Sequence, residues 1–597
     1  MLTRASLRIP SLSIRERLGR LREVSEWRMV RSIVRENEIW LSVLAAIVGM
    51  ASGLIVTGMV AVAREMHHVL FAIPGDELSG APFVDPIRTV FVPIAGGLLM
   101  GLIGYVLARL GRSTVVDPVE ANALHGGRMS LKGSLTVVAQ TMVSNGFGAS
   151  VGMEAGYTQI GSAIASRLGR SLRVRRSDLR TLVGCGAAGA IAAAFDAPLT
   201  GAFYAFELVI ASYSVATLAP VAIASISAIG VMRLVSTPVS FQVGFAGSLS
   251  WSDYTLVMLM GVLCALLGIA VMRGVTLVEA AFRQSRIPVW FRPAIGGAVV
   301  GVLGLVTPAV LSSGHSALHV GFEAYYSAGF LVLLIVLKTL ASAVSIGSGF
   351  RGGLFFAALF LGAMLGKLVA IGWMLAFGLQ IPALVVGIIG MSAMATAVLG
   401  GPLTMSFLAL ETTGSLPLTI AVLAASVISS ITVRRVFGYS FTTWRFHLRG
   451  EVIRSAADIG WIRDLTVGRM MRRDVRTVKS DLTLEQFRRQ FPLGATQRVV
   501  VVDQGDRYAG IVLVPEAHQE GLAAETITEL LHYQTHVLLP EMNVRDAAAL
   551  FTAAESDALA VVTNRQTLQV IGQLTEQHVL RRYSEELDRQ SRELAGT

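Results

Sequence analysis

The chain has 597 residues, of which 53% are hydrophobic and only 15% are charged, and its mean hydropathy is +0.62. Soluble chains usually carry about 25% charged residues, so this composition excludes a protein that faces water throughout, and also disordered, coiled-coil and collagen-like chains. The two cysteines, Cys185 and Cys264, lie in apolar stretches, which favours small buried side chains over a disulfide scaffold or a metal site. We therefore predict a large polytopic membrane protein.

The N-terminal segment is basic, with nine arginines and three glutamates in its first 35 residues and no apolar run before Ile39. A cleaved signal peptide is not expected there, and the positive-inside rule places the segment in the cytoplasm. The arginine-rich loops 167–180, 283–292 and 434–449 are expected on the same side, and the acidic loop 75–86 outside. These loops explain the net charge of +10 without nucleic-acid binding.

Charge-free apolar runs predict membrane spans between residue 39 and about residue 437. About 20 apolar residues cross the hydrocarbon layer as a helix. The runs at 181–195, 324–337 and 352–366 hold only about 12 to 15 residues between charges, which is typical of broken or re-entrant helices in transporters and channels. The longer runs are 39–63, 89–108, 133–153, 208–232, 254–272, 294–314, 368–410 and 412–433.

Two phrases inside the membrane body repeat each other. Residues 196–208 read D-A-P-L-T-G-A-F-Y-A-F-E-L and residues 400–412 read G-G-P-L-T-M-S-F-L-A-L-E-T, so that Glu207 and Glu411 hold matching positions. A pair of glycines nine residues apart precedes each copy: Gly152 with Gly161, and Gly353 with Gly362. The two glycine pairs lie 201 residues apart, and the two phrases lie 204 residues apart. We predict an internal repeat with a transport route at the interface of its copies, and structural roles for the two glutamates.

Glu154 is the only charged residue from Gly133 to Ser166. An intramembrane carboxylate is costly and is a functional candidate by default. It follows a glycine-rich loop and opens a helix-compatible stretch, and a helix N-terminus attracts anions. We expect Glu154 to occupy an anion site and to leave it when protonated or displaced, which would make it a gate. The alternative is a helix-capping glutamate or one partner of a buried ion pair.

The loop 347–356, G-S-G-F-R-G-G-L-F-F, repeats this pattern without a carboxylate. We expect Leu354 and Phe355 to point backbone amides at an anion from the second half of the membrane body. The alternative is that the phenylalanine side chains only pack against neighbouring helices.

These motifs resemble the CLC family of chloride channels and chloride/proton antiporters, over about residues 39–450. The resemblance implies inverted repeats and a homodimer with one anion route per subunit. It makes Glu154 the external gating glutamate, flanked in the route by Gly152 and Ala155, and it places Leu354 and Phe355 against the central anion. Lys132 resembles a basic residue near that route. The matching pieces are G-M-E-A-G-Y-T-Q-I-G (152–161), F-D-A-P-L-T-G-A-F-Y-A-F-E (195–207), G-G-L-F-F-A (352–357) and G-G-P-L-T-M-S-F-L-A-L-E (400–411).

The chain departs from the family pattern at several positions. Val115 stands where the family's serine lends a hydroxyl to the inner anion, and Ala357 replaces the proline that ends the phenylalanine motif. The family's pathway tyrosine aligns best with Thr442, with Tyr439 as an alternative. Leu208 stands at the proton-transfer glutamate of the antiporters, and a leucine carries no proton. The resemblance therefore implies channel-like or uncoupled conduction, and an anion selectivity altered by the missing serine.

Residues 468–523 and 524–585 read as two β-α-β-β-α units that resemble a pair of CBS domains. Such pairs often bind adenine nucleotides through residues after the last strand of each unit, and only Thr575 keeps the usual residue type there. The alternative is a cytoplasmic module that stabilises a dimer. The positions in question are Leu513 and Glu516 in the first unit, and Thr575 and His578 in the second.

The expected fold is a polytopic all-α membrane protein with internal, inverted repeats and broken helices, followed by an α/β CBS pair. The chain divides into a basic segment (1–38), a transport domain (39–449), a linker (450–467), two CBS-like units (468–523 and 524–585) and a tail (586–597).

The expected function is transport of chloride or a similar small inorganic anion across a lipid bilayer, in a bacterial-type inner membrane, with the CBS pair in the cytoplasm. The chain is not expected to be an enzyme or to need a cofactor in its membrane body. A chloride/proton antiporter with another proton route and a secondary transporter of a different anion remain alternatives. A Mg²⁺ transporter needs converging carboxylates, and an intramembrane metalloprotease needs H-E-x-x-H, and the sequence has neither.

Overall fold

The computed structural model describes residues 38–73, 78–111, 115–236, 250, 253–378, 381–441, 443–444, 465–519, 522, 524–582 and 584–585. The expectations for residues 1–37, for Thr442, for most of the linker and for the tail lie outside these residues. The chain forms two compact units, Met1–Asp458 and Ile459–Thr597.

The first unit is helical. Within its described part, eight helices are long and apolar enough to cross a membrane, and the apolar helices Pro198–Ile210, Arg292–Gly304 and Ala383–Leu399 are shorter. In chain order the helices are α1 (Glu38–Phe71), α2 (Pro86–Arg109), α3 (Pro118–Leu124), α4 (Leu131–Gly146), α5 (Glu154–Leu172), α6 (Arg176–Phe195), α7 (Pro198–Tyr204, continued by a π-helical turn at Ala205–Ile210), α8 (Val215–Val235), α9 (Asp253–Gln284), α10 (Arg292–Gly304), α11 (His315–Glu323), α12 (Ala328–Ser348), α13 (Phe355–Phe377), α14 (Ala383–Leu399), α15 (Pro402–Thr413) and α16 (Leu416–Val436).

The prediction of half-length segments at 181–195, 324–337 and 352–366 is wrong. Most of these residues belong to α6, α12 and α13, which have 20, 21 and 23 residues. The error arises because charged residues were taken as helix ends. The broken helices lie elsewhere: the run 368–410 divides into parts of α13, α14 and α15, and the run 294–314 ends its helix at Gly304.

Two lysines show why a charge need not end an apolar helix. Lys338 in α12 is fully buried, and its Nζ donates to the carbonyls of Val310 and Ser312 at 3.2 and 3.0 Å. Lys367 in α13 donates to three carbonyls at the end of α11, among them that of Ala324 at 2.8 Å. The Lys338 ammonium thus binds carbonyls at and just after the end of a 3₁₀ turn, Pro308–Val310, and the Lys367 ammonium binds carbonyls at the end of α11. Cations are favourable at the C-terminal ends of helices.

The repeated glycines lie at helix crossings. A Cβ on Gly161 of α5 would lie 2.3 Å from the carbonyl oxygen of Gly186 in α6, and a Cβ on Gly362 of α13 would lie 2.2 Å from that of Gly390 in α14. Only residues without a side chain permit backbones to approach so closely, as is common in membrane helices. The two halves therefore share one packing arrangement, α5 with α6 and α13 with α14.

The two Pro-Leu-Thr phrases begin α7 and α15, which bind each other reciprocally. Glu411 accepts hydrogen bonds from the amides of Leu199 and Thr200 at 2.7 and 2.9 Å, and from the Thr200 hydroxyl at 2.7 Å. Glu207 accepts the equivalent three bonds from Leu403 and Thr404 at 2.6–2.9 Å. Each helix start thus faces the end of the other helix, so the two copies run antiparallel and the repeat is inverted.

The second unit contains two small sheets with similar pairing. In the first sheet β1 (Thr477–Lys479) is parallel to β2 (Arg498–Val502), and β2 is antiparallel to β3 (Tyr508–Leu513). In the second sheet β4 (Ala558–Val562) is antiparallel to β5 (Val570–Thr575), and Leu538 makes a parallel bridge to Val561 of β4. The elements are α17 (Val467–Met470), β1 (Thr477–Lys479), α18 (Leu484–Gln490), β2 (Arg498–Val502), β3 (Tyr508–Leu513), α19 (Val514–Ala517), a 3₁₀ turn (Ile527–Leu530), α20 (Val544–Ala554), β4 (Ala558–Val562) and β5 (Val570–Thr575).

Candidate functional site

The glycine loops of the two repeats meet before α5 and α13. The Gly152 amide donates to the Gly353 carbonyl at 2.9 Å, and the Gly353 amide donates back to Gly152 at 3.1 Å. The two helices begin directly after this bridge, α5 at Glu154 and α13 at Phe355. The bridge therefore places two helix N-termini, one from each half, beside each other inside the membrane unit.

The Glu154 carboxylate binds the start of the opposite helix. Its Oε1 accepts a hydrogen bond of 3.0 Å from the Phe356 amide in the first turn of α13, and the residue is only 3% exposed. Its Oε2 has no hydrogen-bond partner among the described residues. A negative charge is favourable at a helix N-terminus, whereas a buried oxygen without a donor costs about 1–3 kcal/mol. The N-terminus of α13 thus attracts the carboxylate, but among the described residues only one of its two oxygens receives a hydrogen bond.

Gly152 and Gly353 also make room for this carboxylate. A Cβ on Gly152 would lie 2.2 Å from Oε2 of Glu154, and a Cβ on Gly353 would lie 2.7 Å from the same atom. Either contact is too short for carbon and oxygen. The Glu154 carboxylate therefore occupies this position only because glycines stand on both sides of it.

The phenylalanine rings pack as the alternative interpretation predicts. Phe195, the last residue of α6, contacts the rings of Phe355 and Phe356 at centroid distances of 4.9 and 4.8 Å. The His315 ring meets Phe356 edge-on at 5.0 Å. The rings hold the start of α13 in place, while its Phe356 amide binds Glu154.

Two cavities lie beside this contact. The Glu154 cavity, of about 490 Å³, has walls that include Glu154, Ala155, Phe355 and Tyr204. The His315 cavity, of about 350 Å³, has walls that include Met153, Tyr157, Asn145, His315 and Phe356. Because Glu154 lines one cavity and Phe356 the other, their hydrogen bond lies between the two cavities.

The structure brings most of the predicted route residues into the Glu154 cavity. Val115, Ala155, Leu354 and Phe355 all line it together with Glu154. Lys132 lies instead in the wall of a larger neighbouring cavity. Tyr439 does not line the Glu154 cavity; its ring contacts Trp444 at 5.6 Å.

The profile of the family described as Voltage gated chloride channel matches residues 111–434, and that of the CBS domain matches residues 464–514. The chain belongs to the CLC family. A ClcB-like chloride channel protein of Ralstonia nicotianae is 31% identical over 351 residues, which cover 58% of this chain and 82% of that protein. The voltage-gated ClC-type chloride channel ClcB of an Escherichia coli strain is 28% identical, over 60% of this chain and 87% of that protein.

Solved structures show the same CLC fold. A slow cyanobacterial Cl⁻/H⁺ antiporter aligns with a TM-score of 0.61 at 22% identity and covers 68% of this chain and 97% of its own. A eukaryotic CLC transporter aligns with a TM-score of 0.57 at 18% identity and covers 90% of this chain and 97% of its own. The fold class predicted from the sequence, a CLC-type membrane body with a C-terminal CBS pair, is confirmed.

Leu208 is the residue predicted to replace the proton-transfer glutamate of the antiporters. It lies in the π-helical turn Ala205–Ile210 that continues α7, a type of helix that is rare and frequent at functional sites. Its side chain packs with Tyr204 and Val116 against a buried apolar cluster. The position therefore holds no titratable group.

Sequence reasoning missed three residues of this CLC site. The Phe356 amide, not those predicted at Leu354 and Phe355, makes the hydrogen bond to Glu154. Phe441 and Tyr204 line the Glu154 cavity without having been singled out. A signal for Tyr204 was present: it precedes Leu208 by four residues, and residues four apart share a helix face.

Two of the four positions predicted for nucleotide contact in the CBS units are the last residues of strands. Leu513 ends β3 and Thr575 ends β5. The Glu516 carboxylate is engaged within the protein, because His532 Nε2 lies 2.6 Å from its Oε2. Desolvation and nearby arginines hold the pKa of His578 below its usual value.

Proposed function

We propose that this protein carries chloride or a similar small inorganic anion across the membrane, and that Glu154 gates the route. The observation that carries the proposal is the Glu154 carboxylate bound at the N-terminus of α13, with one oxygen on the Phe356 amide and the other without a partner among the described residues. A site that binds a tethered carboxylate through a backbone amide also suits a free anion. The shared chemistry of the two makes them competitors for one position.

The two cavities support a continuous route. An anion that replaces the Glu154 carboxylate would stand between the Glu154 cavity and the His315 cavity, since Glu154 and Phe356 line one each. Movement of the carboxylate out of the site, after protonation or displacement, opens the connection. The gate therefore needs only a side-chain movement, not a rearrangement of helices.

Hydroxyl groups in the Glu154 cavity compensate in part for the missing serine at Val115. Tyr204 and Thr158 line the same cavity as Val115. A phenolic hydroxyl donates one hydrogen bond, which an anion needs once it has lost its water. We assign Tyr204 this role in place of the family's pathway tyrosine.

Uncoupled conduction follows from Leu208, which offers no proton acceptor where CLC antiporters have a glutamate. The alternative, exchange of the anion for protons through another route, predicts a fixed ratio of the two fluxes.

The arginine-rich loops support an orientation with the N-terminus and the CBS pair in the cytoplasm, in a bacterial inner membrane. The resemblance to the CLC family supports a homodimer with one route per subunit. Adenine nucleotide binding at Thr575 stays a prediction.

Simultaneous recording of chloride and proton movement in proteoliposomes tests the proposal. We expect an outward chloride gradient to drive chloride efflux when valinomycin and K⁺ clamp the voltage, with no uphill proton movement. Uphill proton movement that stops when the chloride gradient is removed would establish antiport. Absence of anion flux from correctly folded protein would overturn the proposed function.

A further inference from the structure

A cavity of about 1420 Å³ is lined by basic side chains. We call it the arginine basin. Its walls come from the ends of α2 and α3, the start of α4, the end of α5 and the start of α6. Among its described lining residues there are five arginines, one lysine and one histidine, and no aspartate or glutamate. The basic residues are His125, Arg128, Lys132, Arg170, Arg173, Arg176 and Arg351.

Most of these charges have no counter-ion among the residues that the structure describes. Within the part of the chain that the structure describes, no ion pair joins Arg128, Lys132, Arg170, Arg173 or Arg176 to a carboxylate. Like charges gathered around one cavity repel each other and create a strongly positive potential inside it. An anion that enters the cavity lowers this repulsion.

The backbone holds Arg173 in an unusual conformation. It ends α5 with φ 56° and ψ 40°, in the left-handed region that glycine adopts at this position without strain. Non-glycine residues other than asparagine and aspartate are uncommon there. An arginine at this position therefore lowers the stability of the fold. Among the described residues, its guanidinium makes no hydrogen bond or ion pair that would offset this loss.

A second arginine is positioned by a glycine. Gly126 has φ +58°, and a Cβ on it would lie 2.3 Å from Nε of Arg176. The adjoining turn is fixed by Ser166, whose hydroxyl donates to the Gly127 carbonyl at 2.7 Å and accepts from the Met129 amide at 2.9 Å. The Arg176 guanidinium thus lies over a rigid turn that leaves space for it.

The size of the basin exceeds what a single small anion requires. A water molecule takes up about 30 Å³ in the liquid, whereas pockets for ligands of drug size measure about 300–1,000 Å³. Guanidinium groups bind phosphate oxygens in bidentate pairs, which makes arginine the preferred residue for phosphate recognition. The size and the residue types together fit a ligand with several phosphate groups.

The basin also adjoins the anion route. Val115, Val137 and Arg351 line both the basin and the Glu154 cavity. A multiply charged anion held in the basin would place negative charge at the entrance to the Glu154 cavity and repel the transported anion.

We propose that the arginine basin binds a polyphosphate group, either of a soluble phosphate ester or of a phosphoinositide headgroup, and that its occupancy inhibits anion flux. The inhibition rests on the proposed function, whereas the binding does not.

The test uses the purified full-length protein and inorganic tripolyphosphate as the probe. Isothermal titration at constant ionic strength measures binding, and chloride efflux from proteoliposomes, with the probe on both sides, measures inhibition. Two further arms use phosphatidylcholine vesicles with and without phosphatidylinositol bisphosphate. The variants are R173Q/R176Q and R173G, and the matched control is R167Q/R175Q, which removes two charges from nearby exposed positions outside the basin walls.

We expect tripolyphosphate to bind and to lower efflux, and R173Q/R176Q to weaken binding at least roughly tenfold, because charged hydrogen bonds are lost. R173G should weaken binding while the fold stays at least as stable, since glycine relieves the backbone. The control should bind as the native protein does. Inhibition by the phosphoinositide vesicles, beyond that by the soluble probe, would identify a headgroup as the source.

The proposal is overturned if tripolyphosphate does not bind, or if R167Q/R175Q weakens binding as much as R173Q/R176Q does. Binding without any chloride flux in the probe-free vesicles would contradict the proposed function and leave the basin assignment standing.

Discussion

Glu154 and Phe356 are joined by a hydrogen bond of 3.0 Å although they come from different repeats and line different cavities. The carboxylate belongs to the first turn of α5 and the amide to the first turn of α13. Neither helix alone forms the site, because each contributes only one of its two partners. The gate is therefore a property of the contact between the repeats.

Replacement of Glu154 tests that contact directly. We expect E154A and E154Q to raise chloride flux by roughly two- to thirtyfold, since a charge at a helix N-terminus is worth about 0.3–2 kcal/mol. Both variants should also lose the dependence of flux on pH, because neither side chain gains or loses a proton. Proteoliposome efflux between pH 5 and 8, at roughly unit steps, measures this, with E323Q, an exposed glutamate, as control. Loss of flux in folded E154A would refute the gate.

Gly353→Ala should reproduce the open state with Glu154 still present. Its new Cβ would lie 2.7 Å from Oε2 of Glu154 and would force the carboxylate away. In the E154A background the same substitution should have no further effect, because its close contact is gone. Efflux from the two single variants and the double variant measures this coupling. Gly58→Ala, where the space around the new Cβ is open, serves as control, and additive effects of E154A and G353A would contradict the mechanism.

Removal of Glu207 or Glu411 should destabilise the fold rather than alter gating. Each carboxylate accepts three hydrogen bonds from the start of the opposite helix. E207A and E411A should each lower the free energy of unfolding by about 1–3 kcal/mol, the usual cost of leaving buried donors unpaired. Thermal unfolding in detergent, with E323A for comparison, measures the loss. A shift in the pH profile of flux without a loss of stability would point to a role in transport instead.

Tyr204→Phe should weaken anion binding. Loss of one hydrogen bond to an anion costs about 1.5–3 kcal/mol, which corresponds to a decrease in affinity of roughly ten- to 150-fold. Tyr439→Phe should have no effect, because Tyr439 does not line the Glu154 cavity. Calorimetric titration of chloride into both variants distinguishes them. The reverse result would return the pathway role to Tyr439, as the sequence alternative has it.

Local features of the site were predictable from the sequence. Glu154 does begin a helix after a glycine-rich loop, and Phe355 begins its counterpart. A lone carboxylate in an apolar stretch and a glycine run before a helix are signals that span a few residues. Such signals need no knowledge of which segments come together in the folded chain.

Contacts between the repeats were not predictable. The bond from Phe356 to Glu154 and the reciprocal bonds of Glu207 and Glu411 join residues about 200 positions apart, and the repeated motif shows that two segments are similar but not that they touch. Helix lengths were misread for a different physical reason. Lys338 and Lys367 satisfy their charges on backbone carbonyls inside the unit, so a charge in the sequence does not mark the membrane surface.

The exchange of carboxylates between α7 and α15 also constrains how the protein is made. When the ribosome has completed only the first half, Glu411 has not been synthesised, so the amides of Leu199 and Thr200 lack their acceptor. Glu207 likewise lacks the start of α15, to which it binds in the finished chain. Unpaired backbone amides in hydrocarbon cost several kcal/mol each, so the first half by itself is less stable than the same half in the finished chain. Only the finished chain pairs these amides, and it pairs those of both halves at the same time.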